Sequence, residues 1–346
     1  MKESHVNSAD RLLSSESIKA EAACLGFDAC GMAVARPVDT DTVEAYRQWL
    51  RRGDNGAMDY MNRYDEIRFN PTLLLPGCRT IVSLAMNYYP SQRIDDDRPQ
   101  LAYYAYGKDY HDVMKARIRQ LAKAIGLNTE YSEHLDNSNY SDNEPRYRVA
   151  VDSAPILERY WAMQAGIGWI GRNRNLIIPH KGSYFVLGEL LLTDAVDTYD
   201  RPIDNHCGTC TRCIDACPNQ AIGPDGIDAN RCLSYITIEK RGAFSAADAQ
   251  AVRRQPTPYY IYGCDRCQRA CPHNSFARPN QTEEFQPSAA LLDMQTEDWS
   301  QLTHEEYTEL FRGSPVKRAK YEGLMRNIET LNQEQKHTKK TTPHTG

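Results

Sequence analysis

The sequence predicts an α+β protein: a mixed domain first, then a small cysteine-rich module, then two closing helices. Strand-like and helix-like segments alternate over the first two hundred residues, composition turns to Cys, Asn, Asp, Gly and Pro near Asp204, and eight of the eleven cysteines fall between Cys207 and Cys271. With 346 residues, 41% hydrophobic and 25% charged, the chain can form more than one folded unit, and disorder throughout is excluded.

The first element is an amphipathic helix over about Ser8–Gly26, where Leu12, Leu13, Ile18, Ala22 and Leu25 recur at helical spacing and Asp10 is available as a cap. Thr80–Tyr88 follows the turn Pro76-Gly77 and reads as a strand, as do Tyr147–Val151 and Ser183–Thr193, all rich in β-branched, aromatic and leucine residues. Tyr110–Leu127 and Leu157–Ala165 read as helices between them, and the polar stretch Glu133–Pro145 as a surface loop. Asp204–Pro279 is too poor in large apolar residues to hold itself together by packing alone. Thr303–Phe311 and Pro315–Leu331 read as helices, and the end as a disordered polar tail. The boundaries expected are 1–200, 201–280, 281–335 and a tail from 336 to 346.

A formal net charge of −5 argues against a protein that coats nucleic acid through its overall field. The N-terminus has no apolar core segment and no twin arginine, and the longest apolar stretch, Tyr184–Thr193, is interrupted by Glu189 and too short to span a bilayer. The expectation is a monomer in the reducing cytoplasm with no membrane association.

The cysteines give the sharpest chemistry. Cys207-x2-Cys210-x2-Cys213-x3-Cys217-Pro218 has the bacterial ferredoxin spacing, in which three thiolates wrap one iron–sulfur cube and the fourth crosses to a second. The second run, Cys264-x2-Cys267-x3-Cys271-Pro272, is one ligand short because position 261 is Ile261, and the isolated Cys232 is the nearby cysteine able to complete it. The count closes with Cys207, Cys210, Cys213 and Cys271 on one 4Fe-4S cluster and Cys217, Cys232, Cys264 and Cys267 on the other. Two zinc sites would need neither the third cysteine at x2 nor the Cys-Pro ending. Cys24, Cys30 and Cys78 read as ordinary small buried residues.

Two clusters form an electron wire, so the preceding domain must hold the acceptor. Gly166-Ile-Gly168-Trp-Ile-Gly171 matches a dinucleotide fingerprint in letters only, since a helix and not a strand leads into it. Arg172, Arg174, His180 and Lys181 after it suit a phosphate or a solvated edge equally. Asp152, ending an apolar strand, is either a partly desolvated proton donor with a raised pKa or the cap of a helix opening at Pro155, and the cap is the simpler reading. His111, among tyrosines and beside Asp109, reads as a satisfied histidine.

As a set, IRFNPTLLLPG (67–77), YAYGKDYHDVM (104–114), VDSAPILERYWAMQAGIGWIGRN (151–173), KGSYFVLGELLL (181–192), both cysteine runs and FRGSPVKRAKYEGLMRN (311–327) resemble the epoxyqueuosine reductase family over nearly the whole chain. The resemblance implies a reductase that uses two 4Fe-4S clusters and base-off cobalamin to remove the epoxide oxygen of epoxyqueuosine in a tRNA anticodon loop, the last step of queuosine biosynthesis. It implies a nitroreductase-like cobalamin-binding domain before a ferredoxin-like module. It puts Asp152 at the family's proton donor and Arg68 at a cobalamin-contacting arginine, with Asn175, Ser183, Tyr235 and Asp265 lining the corrin. An unidentified low-potential electron donor is implied as a partner.

Some members have a cysteine just before the Asp-Tyr-His stretch, where this chain reads Tyr104-Ala105-Tyr106, and longer members append helical repeats that this chain does not show. Contact with tRNA is expected from Lys317, Arg318 and Lys320, helped by Arg312 and Arg326, on the basic stretch 312–326, which is read as helical and carries Glu322 as its one acid. The competing readings are a cobalamin and iron–sulfur reductase of a small organic substrate and a noncatalytic electron carrier.

Overall fold

The computed structural model describes residues 12–131 and 146–340. Its centre is a five-stranded sheet of β1 (Ala29–Val34), β2 (Thr80–Asn87), β3 (Thr129–Glu130), β4 (Arg146–Ala150) and β5 (Phe185–Leu192), in the order β1-β2-β5-β4-β3. All neighbours are antiparallel except β3 and β4. Every residue of β2 is buried because both faces of the sheet are covered, which is why the strand reads as a near-continuous apolar run.

On one face Met32, Val82, Leu84, Met86, Leu190 and Leu192 pack with α1 (Ser15–Cys24) and, beyond α2 (Thr40–Arg51), with α3 (Tyr110–Ala124). On the other, Ile81, Ala85, Leu187 and Leu191 meet Trp161 and Ala162 of α4 (Glu158–Gln164). The predicted strands and helices of this domain are present with ends shifted by a few residues. Helix α1 starts later than expected and is capped by Ser14, whose hydroxyl accepts from the Ser17 N–H at 3.2 Å. Asp10 and the predicted loop 133–145 lie outside the described residues.

Among the elements not expected are β1 and α2. In β1, Gly31 has no room for a side chain, since a Cβ there would meet the Ala165 carbonyl oxygen at 2.0 Å, and so small a residue mutes the strand signal. Helix α2 buries no residue fully and spends its aromatics on local contacts, Trp49 donating to the Ile227 carbonyl at 2.7 Å.

The cysteine-rich segment is built of single turns, such as Arg212–Asp215 and Arg266–Arg269, a two-stranded ribbon of Ile222–Gly223 with Gly226–Ile227, and α5 (Leu233–Ile238). Its apolar residues Leu233, Ile236, Tyr260, Ile261 and Tyr262 join the same core as the first domain, and Tyr260–Tyr262 pairs in parallel with Gln100–Leu101. That shared core supplies the packing the segment lacks alone. Ile261, where a further cysteine would stand, is 1% exposed within it.

The C-terminal end departs from expectation. Pro315–Arg318 is a single 3-10 turn, and α6 (Lys320–Lys340) begins at Lys320, which holds a left-handed φ of 62°. Lys317 and Arg318 therefore lie on the turn and not on the helix, because the left-handed Lys320 breaks the two apart. The last helix runs past residue 336, where a disordered tail was expected to begin, and residues 341–346 lie outside the described residues. Among the described residues no helix is long and apolar enough to cross a membrane.

Candidate active site

As β4 ends, the chain turns at Asp152 with a φ of 49°, a left-handed conformation that a non-glycine residue holds only under constraint. The Asp152 backbone N–H donates to Oε1 of Glu158, the first residue of α4, at 2.5 Å. Its Oδ2 accepts from the Tyr110 hydroxyl and from His111 Nε2, each at 2.8 Å. Both partners open α3, whose cap is Asp109, and His111 Nδ1 lies 2.5 Å from Asp109 Oδ1. The Tyr110 ring stacks on the imidazole at 4.2 Å, so the histidine is fixed at both nitrogens and on one face. Asp152 caps no helix: α4 starts at Glu158, and its cap position, Leu157, offers no side-chain bond.

The proton sits elsewhere than the sequence suggested. Burial acts to raise the Asp152 carboxyl, but the bonds from His111 and Tyr110 and the His111 charge outweigh it and hold the carboxyl below its ordinary range. Burial opposes charge on His111 as well, yet bonds to Asp109 and Asp152 bring it up to about 9. The expected raised pKa at Asp152 is thus reversed: at neutral pH Asp152 is a carboxylate and His111 an imidazolium. Reading His111 alone missed this. The available signal was an Asp-Tyr-His run at a helix start.

Asp152 keeps 55% of its side-chain surface exposed, and Arg159 is exposed too, although both feel strong desolvation. Arg159 donates to the Arg174 carbonyl at 2.5 Å, and Arg174 to the Pro224 carbonyl at 2.8 Å, tying α4 to the cysteine-rich segment. On another side Arg318 grips Glu239 with two bonds of 2.9 and 2.7 Å and lies 5.8 Å from the centre of the Tyr60 ring. The charge of Asp152 reaches both Tyr60 and Arg318.

The expected cofactor-lining residues each make contacts of their own. Arg68 is buried and donates to the Tyr60 and Arg63 carbonyls, each at 3.3 Å, so it shapes the loop that presents Tyr60. Tyr235 accepts from the Ala57 N–H at 2.6 Å. The Asn175 backbone N–H donates to Asn173 Oδ1 at 3.3 Å. The Ser183 hydroxyl and carbonyl accept from Gln268 and Asn274 of the second cysteine run. Asp265 accepts from the Tyr103 N–H at 2.7 Å, and burial pushes its carboxyl up to about 7. A cavity of about 370 Å³ opens beside Cys207, between Gly171, Arg172 and Arg174 on one side and Gly208 and Pro224 on the other. None of the expected residues borders it, though Asn175 follows Arg174, which does.

The eight cysteines of the two runs and Cys232 fall into two groups of electrostatic neighbours. Beyond burial, Cys213 is raised by Cys271 and Cys207, and Cys271 by Cys207 and Cys210. Cys267 is raised by Cys264, Cys232 and Cys217. Among the described residues no three His, Cys, Asp or Glu side chains converge as they would on one metal ion.

The expected tRNA-contacting residues differ in availability. Lys317 and Lys320 are exposed, whereas Arg318 is engaged with Glu239. Arg326 lies 3.8 Å above the Phe244 ring and donates to the Lys240 and Gly242 carbonyls, so it is a structural residue.

Comparison with known proteins follows the same outline. The family model "Epoxyqueuosine reductase QueG, DUF1730" matches residues 68–153, and "4Fe-4S double cluster binding domain" matches residues 206–274. The chain is 41% identical to an epoxyqueuosine reductase of Leadbetterella byssophila over 91% of its own length and 97% of the relative's. It is 34% identical to that of Escherichia coli, over 88% and 76%. A crystal structure of epoxyqueuosine reductase with an epoxyqueuosine-modified tRNA-Tyr stem loop superposes with a TM-score of 0.76 at 25% identity, covering 91% of this chain and 80% of that one. The Streptococcus thermophilus enzyme gives 0.74 at 26%, covering 94% and 85%. An α+β domain joined to a double-cluster module makes this an iron–sulfur oxidoreductase. The chain belongs to the epoxyqueuosine reductase family.

Proposed function

We propose that the protein reduces epoxyqueuosine to queuosine in the anticodon loop of a cytoplasmic tRNA, using two 4Fe-4S clusters, cobalamin and a low-potential electron donor. The cysteine sets Cys207, Cys210, Cys213, Cys271 and Cys217, Cys232, Cys264, Cys267 are the proposed cluster ligands, a reading supported by the grouping of their thiols. A corrin presents many amide groups and a phosphate, so its site needs unused donors. Trp169 Nε1, Asn173 Nδ2, Arg174 Nε and Arg68 Nε are buried without a hydrogen-bond partner among the described residues, and Arg174 lines the cavity beside Cys207. This donor set fits part of such a group. Bound cobalamin would supply a strongly reduced cobalt able to attack or bind the substrate.

The observation on which this reading stands is the Tyr110–Asp152–His111 arrangement. Turning an epoxide into an alkene takes two electrons and two protons and releases water. His111 holds a proton at Nε2 in direct contact with Asp152 Oδ2, so Asp152 can receive it and pass it to the epoxide oxygen as the carbon–oxygen bond breaks. Tyr110 orients the carboxylate, and Asp152, half exposed, draws the second proton from solvent. Lys317 and Lys320 suit phosphate contacts on the RNA.

The test is anaerobic reconstitution with iron, sulfide and cobalamin, followed by a low-potential reductant, an epoxyqueuosine-containing stem loop and mass spectrometry of the nucleosides. Cobalamin-dependent appearance of queuosine is expected. A fully loaded enzyme that leaves epoxyqueuosine unchanged contradicts the proposal.

A further inference from the structure

Beneath the Asp152 turn lies a second acidic group that the reaction above does not use. Glu189 stands in the middle of β5, paired across the sheet with Ser83 on β2 and Ala150 on β4, and its side chain is completely buried. Its neighbours in sequence on the same face, Leu187 and Leu191, belong to the apolar core under α4. One carboxyl oxygen has the Ser83 hydroxyl at 3.5 Å, and Oε2 has no partner among the described residues. Among those residues no cation compensates it: the ionisable neighbour whose charge it feels is Glu158. A carboxylate in that place would carry an uncompensated desolvation cost, so Glu189 is a neutral acid with an O–H to give.

Glu158 is half-buried at the start of α4, where a helix N-terminus favours negative charge. Its Oε1 accepts the Asp152 backbone N–H at 2.5 Å, the contact that closes the left-handed turn. The groups facing Glu158 are Asp152, Arg159 and His111, and those facing Glu189 are Glu158 and Ser83. Burial and the Asp152 charge push Glu158 up to about 8, so the two glutamates together retain at least one proton across the neutral range.

We propose that Glu158 is a positioning residue for the reaction, its carboxyl oxygen fixing the turn that carries Asp152, and that the buried Glu189 beneath that turn is held as a neutral acid. Glu158 uses its oxygen to hold the Asp152 main chain against the strain of its φ, and Glu189, fully buried with one oxygen unpartnered among the described residues, keeps its proton. This rests on the role given to Asp152 above.

The test uses the reconstituted holoenzyme and the modified stem loop. Glu158→Leu removes the acceptor: kcat falls about 100-fold, as for a displaced catalytic group, while KM for the stem loop and the cobalamin and cluster absorbance stay unchanged. Glu158→Gln keeps an acceptor oxygen and restores most of the rate. Infrared spectroscopy at neutral pH detects a protonated buried carboxyl in the wild-type protein, and Glu189→Gln removes that band. A Glu158→Leu enzyme with wild-type kcat, or a wild-type protein with no such band, overturns the proposal. If Glu158→Leu fails to load its clusters, the infrared comparison decides. An inactive wild-type holoenzyme counts against the proposed reaction and leaves the infrared result standing.

Discussion

His111 Nε2 lies 2.8 Å from Asp152 Oδ2, and the same imidazole contacts Asp109 through its other nitrogen. Two carboxylates thus hold one proton on a ring whose ordinary value of 6.5 is raised to about 9. Turnover is expected to hold through neutral pH and fall as pH rises through about 9, when the imidazolium is lost. The same linkage acts on stability. The folded-state value exceeds the unfolded one, so the His111 contribution is complete below the unfolded value and disappears as pH climbs through the folded one. Single-turnover rates and thermal unfolding measured across pH 6 to roughly 10 check both, and His111→Gln should flatten each alkaline decline.

Asp152→Asn separates chemistry from shape. Asparagine tolerates the left-handed backbone, keeps an oxygen for Tyr110 and cannot carry the proton. The rate should drop by about 10²- to 10⁴-fold, with cobalamin absorbance and stem-loop binding intact. Equilibrium binding beside single-turnover kinetics makes the comparison.

The basic C-terminal stretch divides into exposed charges proposed to meet RNA and structural ones. Lys317→Glu with Lys320→Glu should weaken stem-loop binding and shallow its salt dependence by roughly 0.7 for each phosphate that is no longer neutralised. Arg326→Ala should instead lower the melting temperature, since its guanidinium packs on Phe244 and bonds two carbonyls. Fluorescence anisotropy over a salt series and thermal unfolding distinguish the two classes.

Cys232→Ala addresses the cluster ligands. Losing one ligand of the set with Cys217, Cys264 and Cys267 should cut iron and acid-labile sulfide from about eight atoms of each per chain toward about four, with the other cluster's signal retained. Metal analysis with electron paramagnetic resonance of the reduced protein reads this directly.

Much of the fold was legible because apolar runs buried on both faces announce β2 and β5, and the cysteine spacing announces its own module. The missing edge strand β1 was hidden by Gly31, whose smallness serves the approach of the Ala165 carbonyl and not any strand propensity. Gly31→Ala should therefore cost about 1–3 kcal/mol in denaturant unfolding, because the added methyl meets backbone. Asp152 was singled out in the sequence, but its charge state was not legible there, since that depends on His111 and Tyr110 arriving from a helix some forty residues earlier. Glu189 looks like an interruption of an apolar run until the sheet register sets it between Ser83 and Ala150, and Glu158 gains its role only through the Asp152 backbone N–H that the turn brings to it. The break at Lys320 had no sequence signal, because lysine rarely adopts a left-handed backbone.

The central claim is that the protein deoxygenates its nucleoside with a proton delivered through Asp152. The most direct measurement is a single-turnover reaction of cobalamin- and cluster-loaded enzyme with an epoxyqueuosine stem loop, comparing wild type and Asp152→Asn by nucleoside mass spectrometry. Wild type is expected to convert one epoxyqueuosine per loaded enzyme while the loaded variant converts almost none in the same time. Equal conversion by both would contradict it.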